Sequence, residues 1–207
     1  MTIGLDGTPL TGPVGGIRRF TEELTAALRA EFPRDNHILL SDQFAPPLLP
    51  WERFWWLLGL DQTMKRQCVN VFHGTDFAVP YLSGIPSVLT LHDLSPWREP
   101  SAASARVRRR SGILLRRRVP RLVHTPSETV RREAIEYFSL PEDYVVAIPL
   151  AASSRFQPCP KETAIPYFLY LGTLEGRKNL GVLLEASRIL WGEGLNFELH
   201  LAGRARE

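Results

Sequence analysis

Tyr167-Phe168-Leu169-Tyr170-Leu171-Gly172-Thr173-Leu174-Glu175-Gly176-Arg177-Lys178-Asn179-Leu180 runs as an apolar strand, a glycine turn, two cations and the start of a helix. An apolar run without strict alternation, followed at once by a turn and a helix, fits a parallel strand covered on both faces. The same rhythm recurs along the chain. Strands are predicted at Met1–Leu5, His37–Leu40, Val69–Phe72, Ser87–Leu91, Leu122–Thr125, Tyr144–Ile148 and Phe197–Leu201. Helices are predicted from Ile17 onward and over Trp51–Gln67, Ala105–Val119, Ser127–Phe138 and Leu180–Trp191. Repeated βαβ units imply an α/β fold built on a mostly parallel sheet.

With 207 residues, 44% of them hydrophobic and 23% charged, the chain has the composition of a globular protein with a sizeable core. No apolar run approaches the ~20 residues a membrane helix needs, and Met1–Leu5 lacks the basic start and apolar stretch of a secretory signal, so a cytoplasmic location is expected. Cys68 and Cys159 show no metal-ligand spacing, which makes ordinary thiols the expectation. The net charge of +3 favours phosphates or anionic head groups, and arginine carries nearly all of it, since only Lys65, Lys161 and Lys178 are lysines.

A change of composition divides the chain. After Ile148 the sequence passes through Pro149-Leu150-Ala151-Ala152-Ser153-Ser154 and Phe156-Gln157-Pro158-Cys159-Pro160 before a strand pattern resumes at Tyr167. Residues 1–150 are therefore expected to form one Rossmann-like domain, 151–164 a linker, and 165–207 a single β-α-β unit, too small to close its own core. Within the first domain, Thr125-Pro126-Ser127-Glu128 predicts a helix start with Thr125 as cap, proline first and glutamate third. Ile17, Phe20, Leu24 and Leu28 recur at helical spacing and read as a core-facing stripe without further function.

Several residues could carry chemistry. Gly15-Gly16 falls between the first strand and first helix, where small residues let a ligand approach the backbone; a tight turn is the alternative. His92-Asp93 follows the strand ending at Leu91, at the carboxyl edge where open α/β sheets bind ligands, and an imidazole there can donate to a sugar hydroxyl or move a proton. Capping of the next turn is the alternative for either residue. His73, in Phe72-His73-Gly74-Thr75, is similarly placed without an adjacent carboxylate. Arg177 and Lys178 sit where positive charge opposes a helix dipole, so an anionic partner such as a diphosphate is the functional reading and a solvated pair the plain one. The cations of Arg106–Arg121, interleaved with Ile113, Leu114 and Leu115, form either a solvated helix face or a surface for anionic lipid. Trp51-Glu52-Arg53-Phe54-Trp55-Trp56-Leu57-Leu58 could join that surface, although core packing explains its aromatics more simply.

These segments together resemble the family-4 (group 1) glycosyltransferases, mannosyltransferase-like members in particular. The resemblance rests on Gly15-Gly16-Ile17-Arg18-Arg19-Phe20, Phe72-His73-Gly74, Val88-Leu89-Thr90-Leu91-His92-Asp93-Leu94, Thr125-Pro126-Ser127-Glu128, Pro149-Leu150-Ala151 and, above all, Gly172 to Leu180, in the family's order across essentially the whole chain.

The resemblance implies a GT-B architecture in which two Rossmann-like domains face each other across a cleft. It also implies retaining transfer of a hexose from a nucleotide-diphosphate sugar to a glycan or lipid-linked acceptor, with no metal or other cofactor. By it, Arg177 and Lys178 neutralise the diphosphate, Gly15 and Gly16 let it approach, and His92 contacts the sugar near the reacting carbon, with Asp93, Thr173 and His73 as secondary candidates. Peripheral contact with the inner face of a membrane through Arg106–Arg121 is compatible with it, and nucleic acid is not an expected partner. There are departures. Gly176 stands where proline is usual, Thr173 where some members carry arginine, and the family's acidic pair late in the donor domain has no counterpart in 207 residues. An inactive remnant or binding module of the same fold is the alternative these departures raise.

Overall fold

The computed structural model describes residues 1–44, 48–102, 104–153, 155–158, 165–174 and 176–203. The chain divides into two compact units, Met1–Ser153 and Ser154–Glu207. In the first, strands β1 (Thr2–Asp6), β2 (Asn36–Leu40), β3 (Val71–Gly74), β4 (Ser87–Thr90), β5 (Leu122–Thr125) and β6 (Val145–Ala147) form one sheet in the order β2-β1-β3-β4-β5-β6. Every pairing is parallel. Helices α1 (Gly16–Glu31), α2 (Leu60–Arg66), α3 (Ser95–Arg98), α4 (Ala105–Arg116) and α5 (Glu128–Phe138) make the crossovers. Leu5, Phe72, Leu89, Leu91, Leu114, Leu115 and Val123 are at most 1% exposed and form the centre of the core. Burial of each such side chain stabilises by about 1.5–3 kcal/mol relative to leaving it in water.

Three helices stop by one device. Cys68, Arg118 and Ser139 take left-handed φ of 53°, 50° and 53°. The next N–H then turns back onto the helix: Val69 to Met64, Val119 to Leu114 and Leu140 to Ile135. This closure satisfies a terminal carbonyl and tucks in an apolar residue. It stops α4 at Arg116 rather than Val119. It also delays β3 to Val71 instead of Val69, because Val69 is still tied to α2.

The Trp51–Gln67 segment is not one helix. It consists of a 3-10 turn at Pro50–Arg53, a π-type turn at Trp55–Gly59, and α2. The N–H groups of Leu57, Leu58 and Gly59 all point at the Phe54 carbonyl, 2.9, 2.9 and 3.3 Å away. A Cβ at Gly59 would overlap the Glu52 carbonyl oxygen, so glycine permits the fold-back. Buried Glu52 locks it, accepting from Arg66 at 2.6 and 3.1 Å and from the Leu48 N–H at 2.9 Å. Trp55 is buried, but Trp51, Phe54 and Leu57 are exposed, so core packing does not account for these aromatics as a group.

Helix α5 begins two residues later than its sequence cap implies. Thr125 is the last residue of β5, and Ser127, extended at φ −157° and ψ 159°, caps the helix by accepting from the Val130 N–H. Glycine is obligatory at Gly74, where a Cβ would overlap the Ala78 carbonyl oxygen.

The second unit holds β7 (Tyr167–Leu171), α6 (Leu180–Gly192) and β8 (Glu198–Ala202), with β7 and β8 parallel and paired from Tyr167↔Glu198 to Leu171↔Ala202. Trp191 donates its indole N–H to the Phe197 carbonyl at 3.0 Å and stacks on its ring. Phe168, Leu171 and Val182 remain exposed. Cys159, in the linker expected over 151–164, lies outside the described residues. Among the described residues, no helix is long and apolar enough to cross a membrane.

Candidate active site

The winding reverses after β2: β1 lies between β2 and β3, so the chain crosses to one side and then returns to the other. At such a switch point the crossovers part and leave a crevice beyond the carboxyl ends of the strands. Asp6, Gly74-Thr75-Asp76 and Leu91-His92 emerge there, and α1 starts above it. Gly15 caps α1 in an extended conformation and Gly16 is its first residue. Neither has positive φ, and a Cβ on either meets nothing within 4 Å. Packing within the fold therefore does not require glycine at either position; what the pair keeps is open space above the N–H groups of a helix start, where an anion is favoured.

His92 is cradled. Its Nε2 donates to the Thr75 carbonyl at 2.8 Å. Thr75 is itself pinned, its hydroxyl donating to the Asp6 carbonyl at 2.9 Å and lying 3.0 Å from the Thr21 hydroxyl. The edge of Phe20 approaches the imidazole at 5.0 Å between centroids and Phe77 at 5.6 Å. The carbonyl bond puts a proton on Nε2, so in the neutral ring Nδ1 keeps its lone pair, without a partner among the described residues.

Beneath it runs a chain whose direction is set at its far end. His124 Nε2 lies 3.2 Å from the Ile148 carbonyl, which can only accept, so His124 is protonated on Nε2 and accepts on Nδ1. The Thr90 hydroxyl, 3.2 Å from that Nδ1, must then donate to it, and it accepts from His73 Nε2 at 2.7 Å. Burial holds the His73 imidazole down at about 4, with His124 and His92 adding repulsion. His124 is also lowered, again chiefly by burial. Phe20 stacks on His124 at 6.1 Å, so the same ring that edges His92 covers the relay.

A carboxylate pair and an arginine flank the site. Burial lifts the Asp6 carboxyl to about 7; hydrogen bonding from Thr8 and the charge of Arg110 oppose this, and the charge of Asp76 adds to it. Asp6 Oδ1 accepts from the Thr8 N–H at 2.9 Å, whereas Oδ2 is buried and has no partner among the described residues. Asp76 is raised by burial, against attraction to His92 and Arg110. Burial lowers Arg110, against attraction to Asp76 and Asp6. Its Nε is buried without a partner among the described residues, and its guanidinium lies 4.7 Å from the Trp56 ring centroid.

The structure thus gathers Gly15, Gly16, His73 and His92 at one carboxyl edge. Asp93 turns to the neighbouring backbone: Oδ1 accepts from the Ser95 N–H at 2.8 Å and from the Ser95 hydroxyl at 2.6 Å, capping the entry to α3. Thr173, Arg177 and Lys178 belong to the second unit. Gly176–Lys178 forms a 3-10 turn leading to left-handed Asn179 and α6, the Lys178 side chain is exposed, and the Thr173 carbonyl accepts from the Tyr170 hydroxyl at 2.8 Å. Sequence reasoning missed Asp6, Asp76, Phe20, Thr90 and His124. The signal for Asp6 was present, since it ends an apolar strand just as His92 follows one. Ile17, Phe20, Leu24 and Leu28 are each half-buried and Ile17 packs against the core, while the fully buried line of α1 is carried by Thr21 and Thr25. Among the described residues, no three His, Cys, Asp or Glu side chains converge as metal ligands.

A doubly wound parallel sheet with an imidazole, a glycine-led helix start and perturbed carboxyls at its switch point defines an α/β protein whose carboxyl edge has the form of a ligand site. The sequence profile described as Glycosyltransferase Family 4 matches residues 14–152, and the chain belongs to that family. It is 32% identical over 133 residues, 58% of this chain and 35% of the relative, to the O-antigen chain mannosyltransferase B of Escherichia coli. The solved glycosyltransferase of Rickettsia africae ESF-5 shares the fold at a TM-score of 0.51 and 13% identity, covering 98% of this chain and 60% of that one. The chain therefore spans about a third of the length of its mannosyltransferase relative.

Proposed function

We propose that this chain contributes the acceptor-side lobe, and the opening of the donor-side lobe, of a retaining glycosyltransferase. The enzyme moves a hexose, mannose by analogy with the E. coli relative, from a nucleotide-diphosphate sugar to a glycan or lipid-linked acceptor. The observation that carries this reading is His92: its ring is held by the Thr75 carbonyl and edged by Phe20 and Phe77, leaving Nδ1 for a ligand at the carboxyl edge. In this role His92 Nδ1 accepts from a hydroxyl of the transferred sugar, and its lone pair faces the positive charge that grows at the reacting carbon as the leaving group departs. Gly15 and Gly16 admit the diphosphate to the free N–H groups of α1. Arg177 and Lys178 neutralise its charge in place of a metal ion, and the basic face of Arg106–Arg121 rests against anionic head groups.

Calorimetric titration with a panel of nucleotide-diphosphate hexoses tests the donor half of the reading. One member is expected to bind, and Arg177→Ala with Lys178→Ala to weaken it by about two orders of magnitude, the loss of two charge-assisted hydrogen bonds. Wild-type affinity in the double variant removes both cations from the site.

A further inference from the structure

Helix α1 holds His92 in two ways. The Thr75 carbonyl that accepts from His92 Nε2 belongs to a fully buried residue, whose hydroxyl lies 3.0 Å from that of Thr21 on α1. Phe20, the neighbour of Thr21 on the same helix, reaches the imidazole itself, at 5.0 Å between centroids and 87° between planes. Against His124 the same phenyl ring lies at 6.1 Å and 24°. It thus stands square to one imidazole and nearly parallel to another. Among the described residues, Ile17 packs on the hydrophobic core from this helix and half-buried Phe20 does not. A leucine would serve plain packing equally well, whereas contacts to two imidazoles at defined angles call for a flat ring with a polarised face and edge.

The hydrogen bond to Thr75 leaves His92 a freedom that this contact removes. Histidine χ2 is a broad, roughly two-fold torsion. Nε2 lies close to the axis of that rotation, so its bond to the carbonyl fixes the reach of the ring better than its plane. A turned ring would aim Nδ1 away from the carboxyl edge. Phe77, part of the buried core, meets the imidazole at 5.6 Å, and Phe20 meets it from α1. We infer that Phe20 is a positioning residue for His92, holding the plane of the imidazole so that Nε2 stays on the Thr75 carbonyl and Nδ1 stays turned to the carboxyl edge. The helix that starts at Gly15-Gly16 therefore also aims the imidazole. The inference rests on the proposed transfer reaction only in giving His92 its task; the hold on the ring is measured without turnover.

Histidine-ring NMR on the ligand-free 207-residue chain reads that hold, because the shifts of the two ring nitrogens report the tautomer and not the neighbouring ring current. Wild type is expected to show His92 as a single tautomer protonated on Nε2. Phe20→Leu keeps apolar bulk and is expected to give averaged nitrogen shifts, the mark of a ring that turns and exchanges its proton between sites. Phe20→Tyr keeps the flat ring and is expected to restore the wild-type shifts. Leu24→Ala, at an equally half-buried position of α1, loosens the helix without touching His92 and is expected to leave its nitrogens unmoved. In the transfer assay, Phe20→Leu is expected to lower kcat by about tenfold at unchanged donor KM, the split that misplacement of a group acting on the reacting carbon produces. A single His92 tautomer in Phe20→Leu, with or without a lower melting temperature, shows a plain packing residue and overturns the inference. So do averaged shifts in wild type, the same averaging in Leu24→Ala, and failure of Phe20→Tyr to restore them. If His92→Ala leaves transfer unchanged while Phe20→Leu frees the ring, the role of His92 in transfer falls and the positioning contact stands; the reverse pattern does the opposite.

Discussion

His92→Ala is expected to lower sugar transfer by roughly 10²- to 10³-fold, the effect of removing one preorganised hydrogen-bonding group from a transfer site. The substitution takes away the imidazole and nothing that defines the sheet. His92 is half-buried, and its single hydrogen bond among the described residues goes to the Thr75 carbonyl, which loses a partner at a cost of about 1–3 kcal/mol. A shift of a few degrees in melting temperature therefore accompanies a far larger fall in rate, and the two readouts separate catalysis from folding. Initial rates from nucleotide-diphosphate mannose are read for the chain and for the chain joined to the C-terminal portion of its E. coli relative. His200→Ala serves as control: His200 is exposed in the second unit, paired with Glu198 and stacked on Tyr167. Equal rates for wild type and His92→Ala remove His92 from the reaction.

Asp6→Asn is expected to stabilise the protein above neutral pH by on the order of 4 kcal/mol. Raising a carboxyl from 3.8 to about 7 at ~1.4 kcal/mol per unit imposes that penalty once the folded group must ionise. Between the two values the folded state holds a proton that the unfolded chain has released, so this group's contribution is full below pH 3.8 and is lost as pH rises to about 7. His73 works in the opposite sense. Lowered from 6.5 to about 4, it refuses a proton that the unfolded chain accepts, so its contribution is full above pH 6.5 and is lost as pH falls toward 4. Asp76 and His124 shift in the directions of Asp6 and His73 respectively. The Asp6 and His73 limbs, opposite in sign, offset each other between about pH 4 and 6.5. In Asp6→Asn the histidine limb is unmasked, and unfolding free energy climbs by about 1.4 kcal/mol per pH unit from about pH 4.5 to 6. Denaturant unfolding across pH checks it; no gain at about pH 8 and no new slope would contradict burial of an uncharged Asp6.

How much was legible depended on how local the cause was. β5 and β7 were predicted to the residue because an apolar run bounded by turns needs only its own sequence. The three left-handed helix ends were not, because Cys68, Arg118 and Ser139 carry no glycine signal and the closure depends on the apolar residue that follows. The Trp51–Gln67 segment misled because its periodicity is helical, whereas the pairing of buried Glu52 with exposed Arg66 and the close approach at Gly59 decide its path. At the site, Gly15, Gly16 and His92 were visible from their position after strands. The His73–Thr90–His124 relay was not, since β4 and β5 must pair before Thr90 can stand between the two rings. The Asp6–Asp76–Arg110 cluster likewise assembles from three elements far apart in sequence. Family membership followed from short motifs; what those motifs do physically, such as the overlap that reserves Gly74 for glycine, required the fold.

The central claim, that the carboxyl edge around His92 meets the donor sugar, is tested most directly by histidine-ring NMR on the chain titrated with nucleotide-diphosphate mannose. The account predicts that the His92 ring signals shift with saturation, that His73 and His124 stay neutral with their protons on Nε2, and that His200 does not respond. Saturable binding that leaves the His92 signals unmoved, or moves only those of His200, would contradict it.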